Sequence, residues 1–225
     1  MIVLVTPSYR AVLASDADTC RKLLSIERAV EDDNGDSARA AERAYVDCRS
    51  EKLPLDIRIA AYMRYGDAKV SAGETLAAVD VYRDALVVLD TMKRPPVELT
   101  LNVLDRLSQI ENDARRRVDA TSHAKRAADL RIAQYGATSE EAAIGLARLG
   151  VAYVVLKDFS RAERQIDDAV RIASLVCGPT CDALAEAYAA KATWYVDQGN
   201  AAEAERYAEL SVAATPAELS RQAKH

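Results

Sequence analysis

The sequence repeats itself with a period of 42 residues, and this period constrains the fold more than any other feature. Four alanines mark it, each a few residues after a turn signal: Ala78, Ala120, Ala162 and Ala204. Two pairs of glycines follow the same step: Gly73 with Gly199, three periods apart, and Gly136 with Gly178, one period apart. A period of this length that contains two helical patterns predicts a solenoid, in which each helix pair packs mainly on its neighbours.

Apolar residues recur with helical spacing between turn signals along most of the chain. The predicted helices are 16–32, 36–50, 54–72, 74–90, two within 98–134 with a turn near Asp113, 139–156, 159–176, 182–198 and 201–214. Pro216 is expected to begin a short C-terminal helix. The runs of β-branched residues lie inside these helical patterns, so no strand is predicted. We therefore expect an all-α fold, a solenoid of about five antiparallel helix pairs.

The composition supports this prediction and excludes several classes of protein. Apolar residues make up 50% of the chain and charged residues 29%, while Gly (8) and Pro (6) are scarce. Such a balance favours helices, because glycine and proline are the poorest helix formers. A net charge of −5 argues against a general nucleic-acid binder. No apolar run approaches the roughly 20 residues that a membrane-spanning helix needs.

The segment 146–169, LARLGVAYVVLKDFSRAERQIDDA, is the best-preserved copy of the repeat. Its key positions are Leu146, Leu149, Gly150, Tyr153, Ala162, Ile166 and Ala169. They resemble the consensus of the tetratricopeptide repeat family. The segment 62–85 matches nearly as well, whereas 101–127 departs from the pattern, with Ser108 in place of the glycine and Glu111 in place of the tyrosine. The long period, with Tyr135-Gly136 between copies, is similar to the kinesin-light-chain type of repeat.

This resemblance implies a right-handed superhelix that binds a protein or peptide in a groove formed by the first helix of each pair. Arg64, Arg106 and Arg148 are equivalent positions, 42 residues apart, and the resemblance places them in that groove. Three guanidinium groups could hold an acidic group of the partner through bidentate hydrogen bonds. The other predicted groove residues are Met63, Asp67, Asp105, Gln109, Asn112, Ala147, Val151, Val154, Ala189 and Thr193. The alternative is that the arginines pair with Asp67 and Asp105 on neighbouring helices.

The four cysteines fall into two pairs that helix geometry would bring together. Cys20 lies near the start of the first helix and Cys48 near the end of the second, and these ends are adjacent in an antiparallel hairpin. Cys177 and Cys181 flank a single turn. Two disulfides would place the protein outside the cytosol, in a periplasm or secreted. The alternative is four thiols in a cytosolic protein. No metal site is predicted, since the chain has only two histidines and lacks paired Cys-x-x-Cys motifs.

Residues 1–15 are predicted to be a flexible tail or the remnant of a signal peptide, followed by a single repeat domain over 16–225. Met1 to Val5 is apolar, but Arg10 interrupts the run and no basic segment precedes it. The basic run Arg115 to Arg117 is expected to lie in a solvated turn.

No catalytic motif, phosphate-binding loop or cofactor site is recognisable, so we predict no cofactor and no enzymatic activity. The preferred hypothesis is a non-catalytic adaptor that binds a protein or peptide. The alternatives are a structural component of a bacterial envelope or secretion system, and a regulator with a small-molecule pocket inside the superhelix. Whether the chain forms homo-oligomers is left open.

Overall fold

A computed structural model describes residues 17–24 and 36–216, and in these residues every regular element is a helix, as the sequence predicts. The helices are α1 (residues 17–24), α2 (Asp36–Asp47), α3 (Leu55–Ser71), α4 (Thr75–Asp90), α5 (Val97–Asp113), α6 (Arg117–Tyr135), α7 (Glu140–Leu156), α8 (Phe159–Val176), α9 (Asp182–Asp197) and α10 (Ala201–Ala214). The predicted N-terminal tail or signal remnant, residues 25–32 of the predicted first helix and the predicted helix beyond Pro216 lie outside the described residues.

The chain divides into two compact units, Met1–Val103 and Leu104–His225. In the first unit, α3 packs against both α2 and α4. In the second unit, α7 packs against α6, α8 and α9, while α9 also packs against α8 and α10. Each unit is thus an array of consecutive helix pairs. The expectation of a single repeat domain over 16–225 stays a prediction.

The turns inside the helix pairs repeat the same backbone conformation at 42-residue intervals. Gly73, Arg115, Lys157 and Gly199 have φ angles of 76°, 60°, 67° and 74°. In the α7–α8 turn, the amide of Lys157 donates to the carbonyl of Val154 at 2.9 Å, and the other three turns have the equivalent bond at 2.9–3.0 Å. This left-handed conformation suits glycine, so the two non-glycine residues adopt it at a cost of about 1 kcal/mol each. The predicted turn near Asp113 is therefore centred two residues later.

Close contact between the two helices of a pair explains why glycine occupies equivalent positions of the repeat in α3 and α7. A Cβ atom at Gly150 of α7 would lie 2.4 Å from Cγ1 of Ile166 on α8. A Cβ atom at Gly66 of α3 would lie 2.3 Å from the ring of Tyr82 on α4. Ile166 and Tyr82 are fully buried. In both pairs, a missing side chain on the first helix makes room for a large side chain on the second.

Both predicted cysteine pairs are disulfide-bonded. Cys20–Cys48 joins α1 to the end of α2 and is buried. Cys177–Cys181 closes the connection between α8 and α9, where Cys177 is half-buried. The sulfur of Cys181 also accepts a hydrogen bond from the amide of Leu184 at 3.3 Å, so the second disulfide holds the start of α9.

Candidate protein-binding surface

In the second unit, α7 and α9 lie side by side and run in the same direction. Two ion pairs fix this arrangement: Arg148 of α7 contacts Glu186 of α9, and Lys157, just after α7, contacts Asp197 at the end of α9. Residues at i, i+4, i+7 and i+11 lie along one side of a helix. The side of α7 and α9 that carries these ion pairs is called the inner face here. It consists of Ile144, Arg148, Val151 and Val155 on α7 and Glu186, Thr193 and Asp197 on α9.

An apolar stripe runs along α7 in the middle of the inner face. Ile144, Val151 and Val155 are each half-buried, so part of every side chain remains open to solvent. At 1.5 Å per residue, the stripe from Ile144 to Val155 is roughly 16 Å long. Thr193 of α9 is exposed beside it. The stripe therefore offers an apolar contact surface with polar surroundings, the arrangement typical of protein-interaction sites.

The guanidinium group of Arg148 is held between carboxylates of two neighbouring helices. Its Nε donates to Glu186 Oε1 at 2.5 Å, its Nη2 donates to Glu186 Oε2 at 3.3 Å, and its Nη1 donates to Asp105 of α5. Asp105 also accepts a bidentate pair of bonds from Arg131 of α6, whose side chain is only 9% exposed. These four side chains link α5, α6, α7 and α9 through charge-assisted hydrogen bonds.

The environment of Arg148 keeps it charged. Burial by itself would lower its pKa, but the hydrogen bond to Glu186 and the negative charges of Glu186 and Asp105 outweigh burial and raise the pKa above its ordinary value. The alternative expectation, that the arginines pair with acids of neighbouring helices, therefore describes Arg148 and Asp105 correctly.

The other two arginines of the predicted series make different contacts. In the first unit, Arg64 of α3 donates from Nη1 to the main-chain carbonyls of Leu23, at 3.0 Å, and Leu24, at the described end of α1. In the second unit, Arg106 donates to Gln109 one turn further along α5, at 2.9 Å. The three equivalent arginines thus make different contacts, because different groups lie beside each of them.

Met63 and Asp67, also predicted for the groove, contact Tyr82 of α4. The tyrosine hydroxyl donates to the carboxylate of Asp67 at 2.9 Å and to the carbonyl of Met63 at 3.2 Å. Both residues are half-buried. These hydrogen bonds fix the position of α4 against α3 rather than form an open surface.

Two predicted groove residues are buried in helix packing. Ala147 is 0% and Val154 is 2% exposed, and both belong to the core cluster that includes Ala187 and Ala190 of α9. Their burial means that they do not offer a surface, so we leave them out of the binding surface. Ala189, one period after Ala147, is exposed.

The remaining predicted positions on α5 are polar. Gln109 is exposed and Asn112 is half-buried. The side-chain oxygen of Asn112 is buried and has no hydrogen-bond partner among the described residues.

Sequence reasoning missed four residues of the inner face: Ile144, Val155, Glu186 and Asp197. The helical spacing from Arg148 could have indicated the first two, since they lie four residues before and seven residues after it. No repeat signal could have indicated Glu186, because the residue one period earlier is Ile144.

The described parts of the chain were also compared with the requirements of a metal centre and of a membrane-spanning helix. No group of three or more His, Cys, Asp or Glu side chains converges among the described residues. No helix within 17–24 or 36–216 is both long enough and apolar enough to cross a membrane. Arg115 and Arg117 of the basic run are exposed, and Arg116 pairs with Asp119 at 3.1 Å.

No protein-family model matches the sequence, and no curated protein matches it either. Solved structures do match in fold. A putative kinesin light chain with TPR-like repeats from Podosopora anserina is 15% identical, with a TM-score of 0.65 over 94% of this chain and 97% of that one. BtubC from P. vanneervenii is 17% identical, with a TM-score of 0.63 over 80% and 72% of the two chains.

The MamA protein is a third match, 16% identical, with a TM-score of 0.56 over 88% of this chain and 91% of that one. At these identities the likeness establishes the fold and no more. The chain therefore has an all-α, TPR-like repeat fold, as its 42-residue period and its repeat residues indicated.

Proposed function

We propose that this protein is a non-catalytic adaptor that binds a segment of another protein on the inner face of its second unit. The observation that supports this proposal most directly is the half-buried apolar stripe of Ile144, Val151 and Val155, which lies beside two ion pairs between α7 and α9. Burial of apolar surface contributes about 25 cal/mol per Å² removed from water. A partner that covers these three side chains therefore gains binding free energy from the hydrophobic effect.

Two ion pairs, one within the stripe at Arg148 and one just beyond Val155 at Lys157, organise the surface before a partner arrives. Arg148–Glu186 and Lys157–Asp197 both connect α7 to α9. A surface that is already ordered loses less conformational entropy on binding. An extended segment advances roughly 3.3 Å per residue, so about five residues would cover the roughly 16 Å stripe. We propose an extended segment with alternating apolar side chains as the ligand.

We further propose that the protein works in an oxidising compartment, outside the cytosol. Two disulfides that use all four cysteines support this location, because such bonds persist in periplasmic or secreted proteins. The test is a count of free thiols in protein taken from its native cell and denatured without reductant. We expect none, and four reactive thiols would refute the proposed location.

Site-specific photocrosslinking in the source cell tests the binding surface. A photoreactive amino acid replaces exposed Thr193 on the inner face, and in a matched variant it replaces Val212 of α10, which is 76% exposed. We expect a distinct protein to be crosslinked from position 193 and not from position 212. Mass spectrometry of the crosslinked peptide would identify the bound segment.

A second substitution links the crosslink to the apolar stripe. Val155→Asp, combined with the crosslinker at position 193, should abolish the product, because a carboxylate would be placed where apolar contact is needed. The control is Val118→Asp on α6, a valine that is 71% exposed. Loss of the product with both variants, or crosslinking only from position 212, would rule out the inner face as the binding site.

A further inference from the structure

The end of the inner face formed by the first turns of α7 and α9 carries an excess of negative charge. Four carboxylates lie at this end: Glu141 and Asp182 in the first turns of α7 and α9, and Glu186 and Asp105, which both accept hydrogen bonds from Arg148. Two cations are bonded to the last two carboxylates: Arg148 and Arg131. The positive ends of the α7 and α9 helix dipoles offset part of the difference, equivalent to about half a charge each. A negative balance remains at this end.

The local hydrogen bonds leave Glu141 and Asp182 as the acids that a partner can use. Glu141 lies seven residues before Arg148 and hence on the same side of α7, and Asp182 lies one turn before Glu186 on α9. Both are exposed, and neither forms an ion pair with any residue that the structure describes. Arg148, by contrast, already donates to Glu186 and Asp105.

This arrangement reverses the sequence-based expectation of an acidic group in the partner. A partner carboxylate would have to displace Glu186 or Asp105 from Arg148 and would meet Glu141 and Asp182 nearby. A partner cation would meet two exposed carboxylates and displace nothing. Opposite charges across an interface favour encounter and fix orientation.

Building on the proposed binding function, we infer that the segment bound by the inner face carries a lysine or arginine at the end that meets Glu141 and Asp182. The ligand class is an extended segment with a cationic end and an apolar stretch of about five residues. At the other end of the stripe, Lys157 and Asp197 neutralise each other, so that end selects no charge.

Synthetic peptides of matched sequence test the inference on the full-length protein. Three peptides share a Val-Thr-Val-Thr-Val core and differ only in two flanking residues, which are Arg-Arg, Gln-Gln or Glu-Glu. Each carries a fluorophore, and affinity is measured by anisotropy at low ionic strength and again at about 0.5 M salt, where surface charges are strongly screened. We expect the Arg peptide to bind at least about fivefold more tightly than the Gln peptide, and the Glu peptide to bind most weakly.

Charge substitutions show whether the preference arises at this end of the face. Glu141→Gln with Asp182→Asn should reduce the preference for Arg over Gln to about twofold or less. The matched control is Glu163→Gln with Glu209→Gln on α8 and α10, which changes the net charge equally at two exposed positions and should leave the preference intact. Circular dichroism confirms that each variant is folded.

Three results would overturn the inference: equal or tighter binding of the Glu peptide, an equal loss of preference in the control variant, or no binding of the Arg peptide up to about 1 mM. These outcomes are separable from failure of the proposed function. If the crosslink from position 193 forms but the charge preference is absent, the inner face binds a partner, and only the inference that the partner has a cationic end is wrong. If that crosslink fails, the binding site itself is wrong.

Discussion

The helix pairs α5–α6 and α7–α8 are equivalent units of the repeat, yet different residues fill the interface between the two helices of each pair. In α7–α8, Gly150 gives room to Ile166, which is fully buried. One period earlier, Ser108 stands where Gly150 would be and Ala124 where Ile166 would be. The first helix thus carries a larger residue in α5–α6 than in α7–α8, and the second helix carries a smaller one.

The serine in α5 also gains a polar contact that glycine could not make. Ser108 Oγ donates to the carbonyl of Ala120 at 2.8 Å, and both residues are buried. The hydroxyl is therefore satisfied inside the helix interface, as buried polar groups require. A departure from the consensus on one helix is accommodated because its neighbour on the other helix departs as well.

At a second position of the two pairs, residues on both helices again differ together. Tyr153 of α7 is nearly buried, and the residue one period earlier is Glu111, which is 0% exposed. Its carboxylate lies 2.7 Å from Nδ1 of His123 on α6. The residue of α8 that corresponds to His123 is Gln165. The segment 101–127, which departs from the repeat pattern, therefore contains a specific polar interaction. Gly150 with Ile166 and Glu111 with His123 each act as a pair across a helix interface.

The largest expected effect on stability comes from replacing Gly150 and Ile166 of α7–α8 by the serine and alanine found at the equivalent positions of α5–α6. Ile166→Ala alone should lower the free energy of unfolding by roughly 3 kcal/mol, because it leaves a cavity. Gly150→Ser alone should cost about 2 kcal/mol through its clash with Ile166. The double variant should be more stable than the sum of the two losses predicts, by about 1–2 kcal/mol, since each change makes room for the other.

Urea unfolding followed by circular dichroism measures the three variants against the parent protein. Strict additivity would mean that the glycine–isoleucine pair is not a coupled unit. The comparison between the two helix pairs would then lose its physical basis.

The sequence predicted what is local or periodic. Caps and turn residues set the helix ends, so the helix boundaries agree with the structure to within a few residues in most cases. Lys157 and Arg115 lie one and two periods before Gly199 and share its left-handed turn conformation, although the turn at Arg115 was predicted two residues too early, near Asp113. The disulfide Cys20–Cys48 was predicted from helix ends that a hairpin brings together, and Cys177–Cys181 from two cysteines that flank a single turn.

The sequence predicted few of the side-chain contacts between helices: it named Cys20 with Cys48 and, as one alternative, an arginine with Asp105. The partner of Arg148 on α9 is Glu186, a position with no acidic equivalent earlier in the chain. Burial also depends on place in the array: Ala147 is covered by α9, whereas its equivalent Ala189 is exposed. A repeat pattern encodes packing inside a helix pair, and it does not encode what lies on either side of that pair.

Breaking the polar pair of α5–α6 should have the next largest effect. His123→Ala removes a hydrogen-bond partner from the fully buried carboxylate of Glu111, and we expect a loss of about 2 kcal/mol in the free energy of unfolding. Glu111→Tyr combined with His123→Gln imports the residues of α7–α8 and should recover at least half of that loss. The same urea experiment measures both. A double variant less stable than His123→Ala would show that the two pairs are not interchangeable.

The two pairs should respond alike where their backbones are alike. Arg115→Gly should raise the free energy of unfolding by roughly 0.5–1 kcal/mol, because glycine adopts the left-handed conformation without strain. Lys157→Gly should gain less, since it also removes the ion pair with Asp197. Gly199→Ala is the converse control and should destabilise the protein by about 1 kcal/mol. Melting temperatures resolve these differences, and a loss of stability in Arg115→Gly would contradict the assignment of strain to the turn.

The smallest effect distinguishes the start of the second helix in each pair. Asp158 caps α8 by accepting from the amide of Arg161 at 3.1 Å, whereas Arg116 at the start of α6 makes no side-chain cap bond. The hydrogen bond from the Arg161 side chain, followed by the bond from its amide, lowers the pKa of Asp158 below the usual 3.8. A carboxyl whose pKa is lowered by folding stabilises the protein above its usual pKa, and this stabilisation is lost as the pH falls through the lowered value.

Asp158→Ala should therefore lower the melting temperature at neutral pH, and the difference from the parent protein should shrink as the pH falls below 3.8. Asp158→Asn keeps an oxygen that can accept from the Arg161 amide but has no titrating charge, so its advantage over Asp158→Ala should not change with pH. If the melting temperatures of the parent protein and Asp158→Ala differed by the same amount at every pH, the cap would act without its charge. The pairs α5–α6 and α7–α8 would then differ at their turns only by a neutral hydrogen bond.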